Sequence, residues 1–225
     1  MSALPHSARR LWAAGPARRK PLAGRPEALR LSLPLARGMK VGLLGGSINP
    51  AHEGHAHVAE TALMRLGLDR VVWLVSPQNP LKDRRNSRPL EWRMASAARF
   101  ARGPRMIVSD AETRLGVRYT IDTLRLLKAR FPGVRFVWIM GGDNLGGFHG
   151  WRGWTDILRL MPVAVVSRPD DLSRSRFSPA ARRFAHARRP EADARGLASA
   201  APPAWLWLAA PLHPHSSTAL RARGG

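Results

Sequence analysis

Short apolar runs alternate with helix-like segments along most of this chain, and that alternation limits the folds open to it. Strands are predicted where the runs are rich in β-branched or aromatic residues, at 40–45, 70–76, 105–109, 135–140, 163–167 and 204–209. Helices are predicted at 54–66, 89–101, 119–131, 154–160 and 179–188, with another beginning near Ser217. Such alternation favours parallel strands joined by right-handed crossovers. We therefore predict an α/β fold, a Rossmann-like doubly wound parallel sheet in a single domain.

The ends and connections of this domain follow from composition. Residues 1–38 are rich in Arg, Pro and Ala, have no helical or strand period, and contain one acidic residue, Glu27. They predict a disordered basic extension, leaving residues 39–225 as the domain. A second interpretation is that the true start is Met39, so that the extension is an artefact of start-site choice. Segments 170–178 and 188–203 predict loops.

Charge and cysteine content narrow the function classes. The formal net charge is +22, but Arg is spread along the whole chain, which indicates a compositional bias and no specific nucleic-acid partner. The absence of Cys excludes disulfides and thiolate metal sites, and it fits a cytoplasmic location. No apolar run approaches the roughly 18 residues of a membrane span, so no membrane contact is expected. The oligomeric state stays open.

The segment GGSINPAHEGH, residues 45–55, joins the first predicted strand to the first predicted helix. Glycines let the backbone approach an anion, and the start of a helix favours negative charge. Because His52 and His55 are three residues apart at that helix start, both imidazoles can converge on one phosphate group. A zinc site with Glu53 and His57 is the weaker interpretation, since the order is not H-E-x-x-H. The segment predicts a phosphate site.

The same segment resembles the (H/T)-x-G-H signature of the nucleotidylyltransferase superfamily, with Ile48 at a usually aromatic position and Asn49 at an Asp/Asn position. Four further segments resemble, in order, those of its nicotinate-nucleotide adenylyltransferases. They are a proline-stiffened loop ending at Lys82, an R-Y-T-I-D-T-L segment from Arg118 where the family has Ser, a G-G-D-N-L segment followed by Trp151, and S-S-T-A-L-R ending at Arg221.

The resemblance implies adenylyl transfer from ATP to nicotinate mononucleotide, giving deamido-NAD and pyrophosphate. His52 and His55 are then the implied catalytic residues. The implied ATP-binding residues are Gly45, Gly46, Ser47, His52, His55, Gly141, Asp143, Ser217, Thr218 and Arg221, and the nicotinate nucleotide is assigned to Asn49, Lys82, Tyr119, Thr120 and Trp151. Mg²⁺ is expected to bind mainly through the ATP phosphates, with no protein metal site. Thr120 or Thr123 is expected to cap its helix.

Other functions remain open at this point. The same scaffold serves acceptors such as nicotinamide mononucleotide and pantetheine phosphate, and it serves cytidylyltransferases. The Tyr119–Thr120 pair and the Asp143 and Trp151 element argue against pantetheine phosphate and against cytidylyl transfer, but they do not separate nicotinate from nicotinamide. A basic RNA-binding protein on a vestigial Rossmann fold would explain the charge, but not the two histidines together with a distant S-S-T-x-x-R.

Overall fold

The computed structural model describes residues 33–77, 87–167 and 175–210, all of which belong to one compact unit. Some predictions lie outside the described residues. They are the helix predicted near Ser217, most of the predicted extension and four predicted site residues. The four site residues are Lys82, Ser217, Thr218 and Arg221. Most of the loop predicted at 170–178 also lies outside them.

Seven parallel strands form one sheet in the order β3-β2-β1-β4-β5-β7-β6. Their bounds are β1 Lys40–Gly46, β2 Arg70–Val75, β3 Met106–Ser109, β4 Arg135–Gly141, β5 Val163–Val166, β6 Arg188–Arg189 and β7 Trp205–Leu208. The predicted doubly wound sheet is confirmed, and each of the six predicted strands agrees to within one residue at either end. The two-residue strand β6 was not predicted.

In the described residues, α-helices connect the strands. They are α1 Glu53–Arg65, α2 Leu90–Phe100, α3 Ala111–Arg114, α4 Thr120–Arg130, α5 Gly142–Gly147, α6 Trp154–Leu160 and α7 Pro179–Arg183. Short 3₁₀ segments occupy Phe148–Gly150, Ala185–Ala187 and Glu191–Ser199. The short helices α3 and α5 were not predicted, because four to six residues are too few to show a helical period.

Two predictions near the C-terminal end of the sheet are wrong. The helix predicted at 179–188 ends at Arg183 and gives way to a 3₁₀ turn and β6. The loop predicted at 188–203 holds β6 and the 3₁₀ segment Glu191–Ser199. That segment is ordered because Ala194, Leu197 and Ala198 are buried against one face of the sheet, which polar neighbours conceal in the sequence.

Apolar side chains cover both faces of the sheet, as a doubly wound fold requires. Leu43 and Trp138 belong to the core on one face, and Leu44 and Ile139 to the core on the other. None of the described helices is long and apolar enough to cross a membrane.

The structure describes six residues of the predicted extension, 33–38. Disorder was expected through residue 38, but Leu33 and Leu35 pack against the core, and the Gly38 N–H donates to the Gly133 carbonyl at 2.9 Å. Two leucines two residues apart supply the apolar contact that orders residues 33–38.

The strand order fixes where a ligand can bind. The first strand, β1, lies inside the sheet, with β2 and then β3 on one side of it. The next strand in the chain, β4, lies on the other side of β1, so the strand order reverses between β1 and β4. Ligands of such sheets bind beyond the carboxyl ends of the strands at this reversal. Leu44 pairs with Ile139, and two residues later β1 ends at Gly46 and β4 at Gly141. The loops after β1 and β4 therefore start side by side.

Candidate active site

The turn after β1 has a tightly defined backbone. The carbonyl of Gly46 accepts hydrogen bonds from the backbone N–H and the hydroxyl of Ser76, at 3.1 and 2.9 Å, which ties the ends of β1 and β2 together. A Cβ atom at Gly45 would collide with the ring of Trp138. Ile48 is buried with φ of +44°, a left-handed conformation that costs a β-branched residue of order 1–3 kcal/mol. The fold maintains a strained turn here.

The two predicted histidines lie together at the start of α1. Their ring centroids are 4.0 Å apart. His52 is the N-cap residue, and its Nδ1 accepts the backbone N–H of Gly54 at 3.1 Å. In the neutral imidazole the proton must then lie on Nε2, which makes that atom a donor. His52 is buried and His55 is half-buried, so the pair occupies the wall of the site.

The loop after β4 contributes the neighbouring predicted residues. Gly141 ends β4 and is the N-cap of α5, and Asp143 follows in the first turn of that helix as an exposed side chain. The hydroxyl of Ser175 donates to the Gly142 carbonyl at 2.6 Å and holds the start of α5 in place. Because β1 and β4 are adjacent, this loop borders the glycine turn.

Aromatic side chains form the next part of this edge. Trp151 is half-buried and packs edge-on against Phe148 and Trp138, with ring centroids 5.4 and 6.3 Å away. Tyr119 immediately precedes α4, and the exposed Arg152 guanidinium lies 4.5 Å from the centroid of its ring. Arg152 was not predicted, because one Arg in a chain this rich in Arg gives no sequence signal.

The expected threonine cap of α4 is wrong. Tyr119 occupies the N-cap position, and no side chain caps the helix there. Thr123 is fully buried, and its hydroxyl donates to Glu112 Oε1 at 3.1 Å, so it is not available to a ligand. Thr120 is partly exposed beside Tyr119 and keeps its place among the candidate site residues.

Glu112 is a buried carboxyl that the sequence did not reveal. Burial raises its pKa from 4.5 to about 7, and the hydrogen bond from Thr123 opposes that shift. It lies on α3, behind the start of α4 that carries Tyr119 and Thr120.

A second group that the sequence did not reveal is Arg93 on α2, whose guanidinium is buried behind the turn after β1. Burial lowers its pKa, and the nearby Glu91 opposes the shift. Asn49, a predicted ligand of the nicotinate nucleotide, is also directed to this helix, because its Oδ1 accepts the backbone N–H of Arg88 at 3.2 Å. Among the described residues, no group of three or more His, Asp and Glu side chains is placed to hold a metal ion.

A doubly wound sheet with a glycine turn and paired histidines at its point of reversal is the architecture of a nucleotide-binding α/β protein. The cytidylyltransferase-like family model matches residues 43–223. Named probable nicotinate-nucleotide adenylyltransferases are similar over nearly their whole length. The protein of Caulobacter sp. strain K31 is 67% identical, covering 82% of this chain and 98% of the relative. That of Methylorubrum extorquens is 55% identical, covering 82% and 100%.

A solved structure supports the fold. The Plasmodium falciparum nicotinic acid mononucleotide adenylyltransferase complexed with NaAD superposes with a TM-score of 0.56, covering 80% of this chain and 78% of that one at 12% identity. The family model and the sequence relatives establish that the chain belongs to the nicotinate-nucleotide adenylyltransferase family, within the cytidylyltransferase-like group.

Proposed function

We propose that this protein transfers the adenylyl group of ATP to nicotinate mononucleotide, giving deamido-NAD and pyrophosphate in NAD biosynthesis. The observation that carries the proposal is the His52 and His55 pair, 4.0 Å apart at a helix start where the sheet order reverses. Two imidazoles and a helix start at one place suit a polyphosphate. Because the chain belongs to this family, we assign ATP and nicotinate mononucleotide as its substrates.

The reaction needs no covalent enzyme intermediate. A phosphate oxygen of the mononucleotide forms a bond to the α-phosphorus of ATP, and the bond from that phosphorus to the bridging oxygen of the β-phosphate breaks. Pyrophosphate leaves in line with the bond that forms. The protein has to align two polyanions and stabilise the charge that develops on the phosphate oxygens.

We assign the two histidines the role of stabilising this developing charge. With its Nδ1 engaged by Gly54, His52 presents Nε2 as a donor, and His55 is assigned to the α-phosphate in the transition state. Gly45, Gly46 and Ser47 would border the phosphates with their backbone.

Other assignments rest on the sequence resemblance. Ser217, Thr218 and Arg221 would hold the β- and γ-phosphates, with help from Lys82. Mg²⁺ would enter with ATP as part of the substrate and would offset the charge of its phosphates, a role that requires no cluster of protein carboxylates.

The acceptor is assigned to the aromatic part of the site. The half-buried Trp151 offers an indole edge and face to a positively charged pyridine ring. Tyr119 and Thr120 lie at the start of α4. Gly141 and Asp143, at the start of α5, would border ATP, as the resemblance implies. The exposed Arg152 guanidinium, stacked on Tyr119 at 4.5 Å, supports nicotinate over nicotinamide, because only nicotinate carries a carboxylate to attract it.

The direct test is pyrophosphate release from ATP and Mg²⁺ with three acceptors assayed in parallel: nicotinate mononucleotide, nicotinamide mononucleotide and phosphopantetheine. Turnover is expected to be fastest with nicotinate mononucleotide. A preference for either of the other two would overturn the assigned acceptor, and no turnover with any of them would overturn adenylyl transfer.

The histidine role has its own test. His55→Ala is expected to lower kcat by about 10²-fold or more, by analogy with the loss of one donor to a transition-state charge. His186→Ala, at an exposed histidine on the turn before β6, is the matched control and should leave kcat unchanged. A rise in KM with kcat unaltered in His55→Ala would contradict a role in the transition state.

A further inference from the structure

Arg93 stands out because its side chain is 1% exposed, although it lies on a helix at the protein surface. Its sequence neighbours Glu91 and Trp92 are both exposed. Arg is almost never fully buried unless its charge and donors are matched. The matching groups here are backbone carbonyls, so the burial of Arg93 depends on how the loops that carry them are arranged.

Four carbonyl contacts surround the guanidinium. Nη1 donates to the carbonyls of Ser47 and Ser76 at 2.8 and 2.6 Å, and Nη2 donates to that of Pro77 at 2.7 Å. Nε donates to the Arg88 carbonyl at 2.9 Å. The first of these carbonyls belongs to the turn after β1, the next two to the loop after β2, and the last precedes α2 itself. One planar cation therefore joins three segments of the chain.

The same part of α2 holds the turn after β1 at two further points. The hydroxyl of Ser96 accepts the backbone N–H of Ala51 at 3.1 Å. The backbone N–H of Arg88 donates to Asn49 Oδ1. Ser47, Asn49 and Ala51 are thus all attached to α2 or its start, and Ala51 directly precedes the N-cap residue His52.

We infer that Arg93 is a positioning residue for adenylyl transfer. It fixes the turn that carries His52 and His55 relative to the loop after β2, the loop that leads to Lys82. The inference rests on the proposed roles of the two histidines. The hydrogen bonds of the Arg93 guanidinium go to backbone carbonyls, and we infer that it acts on the histidines through the backbone of these segments.

The physical reason is electrostatic. Carbonyl oxygens of different segments converge on one cation, and without it they would repel one another and lack a buried donor. The turn would then shift to satisfy them, and a displacement of about 1 Å at a catalytic group can cost about 10²-fold in rate. Lys cannot replace Arg here, because its single ammonium centre lacks the planar fork that reaches several acceptors.

The first experiment compares Arg93→Ala and Arg93→Lys with Arg99→Ala, an exposed arginine on the same helix. Activity is expressed per folded molecule, with the folded fraction taken from circular dichroism. Both Arg93 variants should lose about 10- to 100-fold in kcat with a smaller change in the KM for ATP, and Arg99→Ala should match the unaltered protein. If Arg93→Ala does not fold, Arg93→Lys carries the test.

Chemical rescue separates positioning from general destabilisation. Millimolar guanidinium chloride, far below denaturing concentrations, should raise the kcat of Arg93→Ala by about tenfold, because the free cation can refill the carbonyl cluster. Sodium chloride at the same ionic strength should not do so, and neither salt should raise the kcat of His55→Ala. Kinetic constants of both Arg93 variants that equal those of the unaltered protein would overturn the inference.

A double-mutant cycle tests the route through the histidines. In a His55→Ala background, Arg93→Ala should cost less than about threefold in kcat, because the histidine it would misplace is already absent. A full multiplicative loss would show that Arg93 acts by another route and would overturn the inference. Failure of the proposed function is distinguishable, because the unaltered protein and Arg99→Ala would then also lack turnover.

Discussion

The buried carboxyl of Glu112 makes the stability of this protein depend on pH. Its side chain is enclosed between α3 and α4, where its Oε1 accepts the Thr123 hydroxyl at 3.1 Å. Burial raises its pKa from 4.5 to about 7. In the unfolded chain the same carboxyl is solvated and titrates near its ordinary value. The folded state therefore holds a proton that the unfolded state releases.

The sign and size of the effect follow from this difference in proton affinity. Below pH 4.5 both states are protonated, so Glu112 costs nothing. As the pH rises through 4.5 toward about 7, only the unfolded chain ionises, and the free energy of unfolding falls. Above that range the loss is constant. At about 1.4 kcal/mol for each tenfold change in proton affinity, it amounts to about 3 kcal/mol.

Glu112→Gln should abolish this loss. The amide oxygen can still accept the Thr123 hydroxyl, and the side chain cannot ionise. We expect E112Q and the unaltered protein to agree within about 1 kcal/mol at the acidic end, and E112Q to be more stable by about 3 kcal/mol near pH 8. Urea unfolding across this pH range measures both, with exposed Glu60→Gln as the control. A stability difference that does not change with pH would refute the reasoning.

Two further substitutions test the site from the packing side and from the substrate side. Gly45→Ala should lower the free energy of unfolding by about 1–3 kcal/mol, because its Cβ would collide with the Trp138 ring. Thermal melting measures this loss. Gly147→Ala is the control, because an added Cβ there would have no neighbouring atom of the described residues within 4 Å. Arg152→Gln should lower kcat/KM for nicotinate mononucleotide by about tenfold, and it should change kcat/KM for nicotinamide mononucleotide by less than about twofold. Equal losses with both acceptors in steady-state assays would argue against a contact between Arg152 and the nicotinate carboxylate.

The sheet could be predicted from the sequence because its strands are buried on both faces. Such strands appear as continuous apolar runs, for example Val163–Val166, and such runs are visible without knowing their partners. Two of the elements that escaped prediction are short. The helix at Gly142–Gly147 contains three glycines, and the edge strand Arg188–Arg189 consists of two arginines, so neither composition indicates its structure.

In the candidate site, too, features that are local in sequence could be predicted and features that depend on distant contacts could not. The paired histidines could be predicted because the glycine turn and the helix start are contiguous in sequence. The packing reason for Gly45 is not visible in the sequence, because the ring that leaves no room for a side chain there belongs to the distant Trp138. Arg93 could not be identified, because its Ser47 contact spans 46 residues. Burial of a charged side chain depends on such remote acceptors, and a local pattern does not contain them.

Arg93 and Glu112 show two different uses of a buried polar side chain in this protein. A loop at the end of a parallel strand exposes backbone carbonyls and N–H groups, and apolar packing cannot satisfy them. A buried polar side chain from a neighbouring helix can do so. Arg93 serves the loops after β1 and β2 in this way, by direct contact with their carbonyls. Glu112 instead joins two helices through its hydrogen bond from Thr123. Substitutions at Arg93 should therefore change kcat, whereas those at Glu112 should change stability.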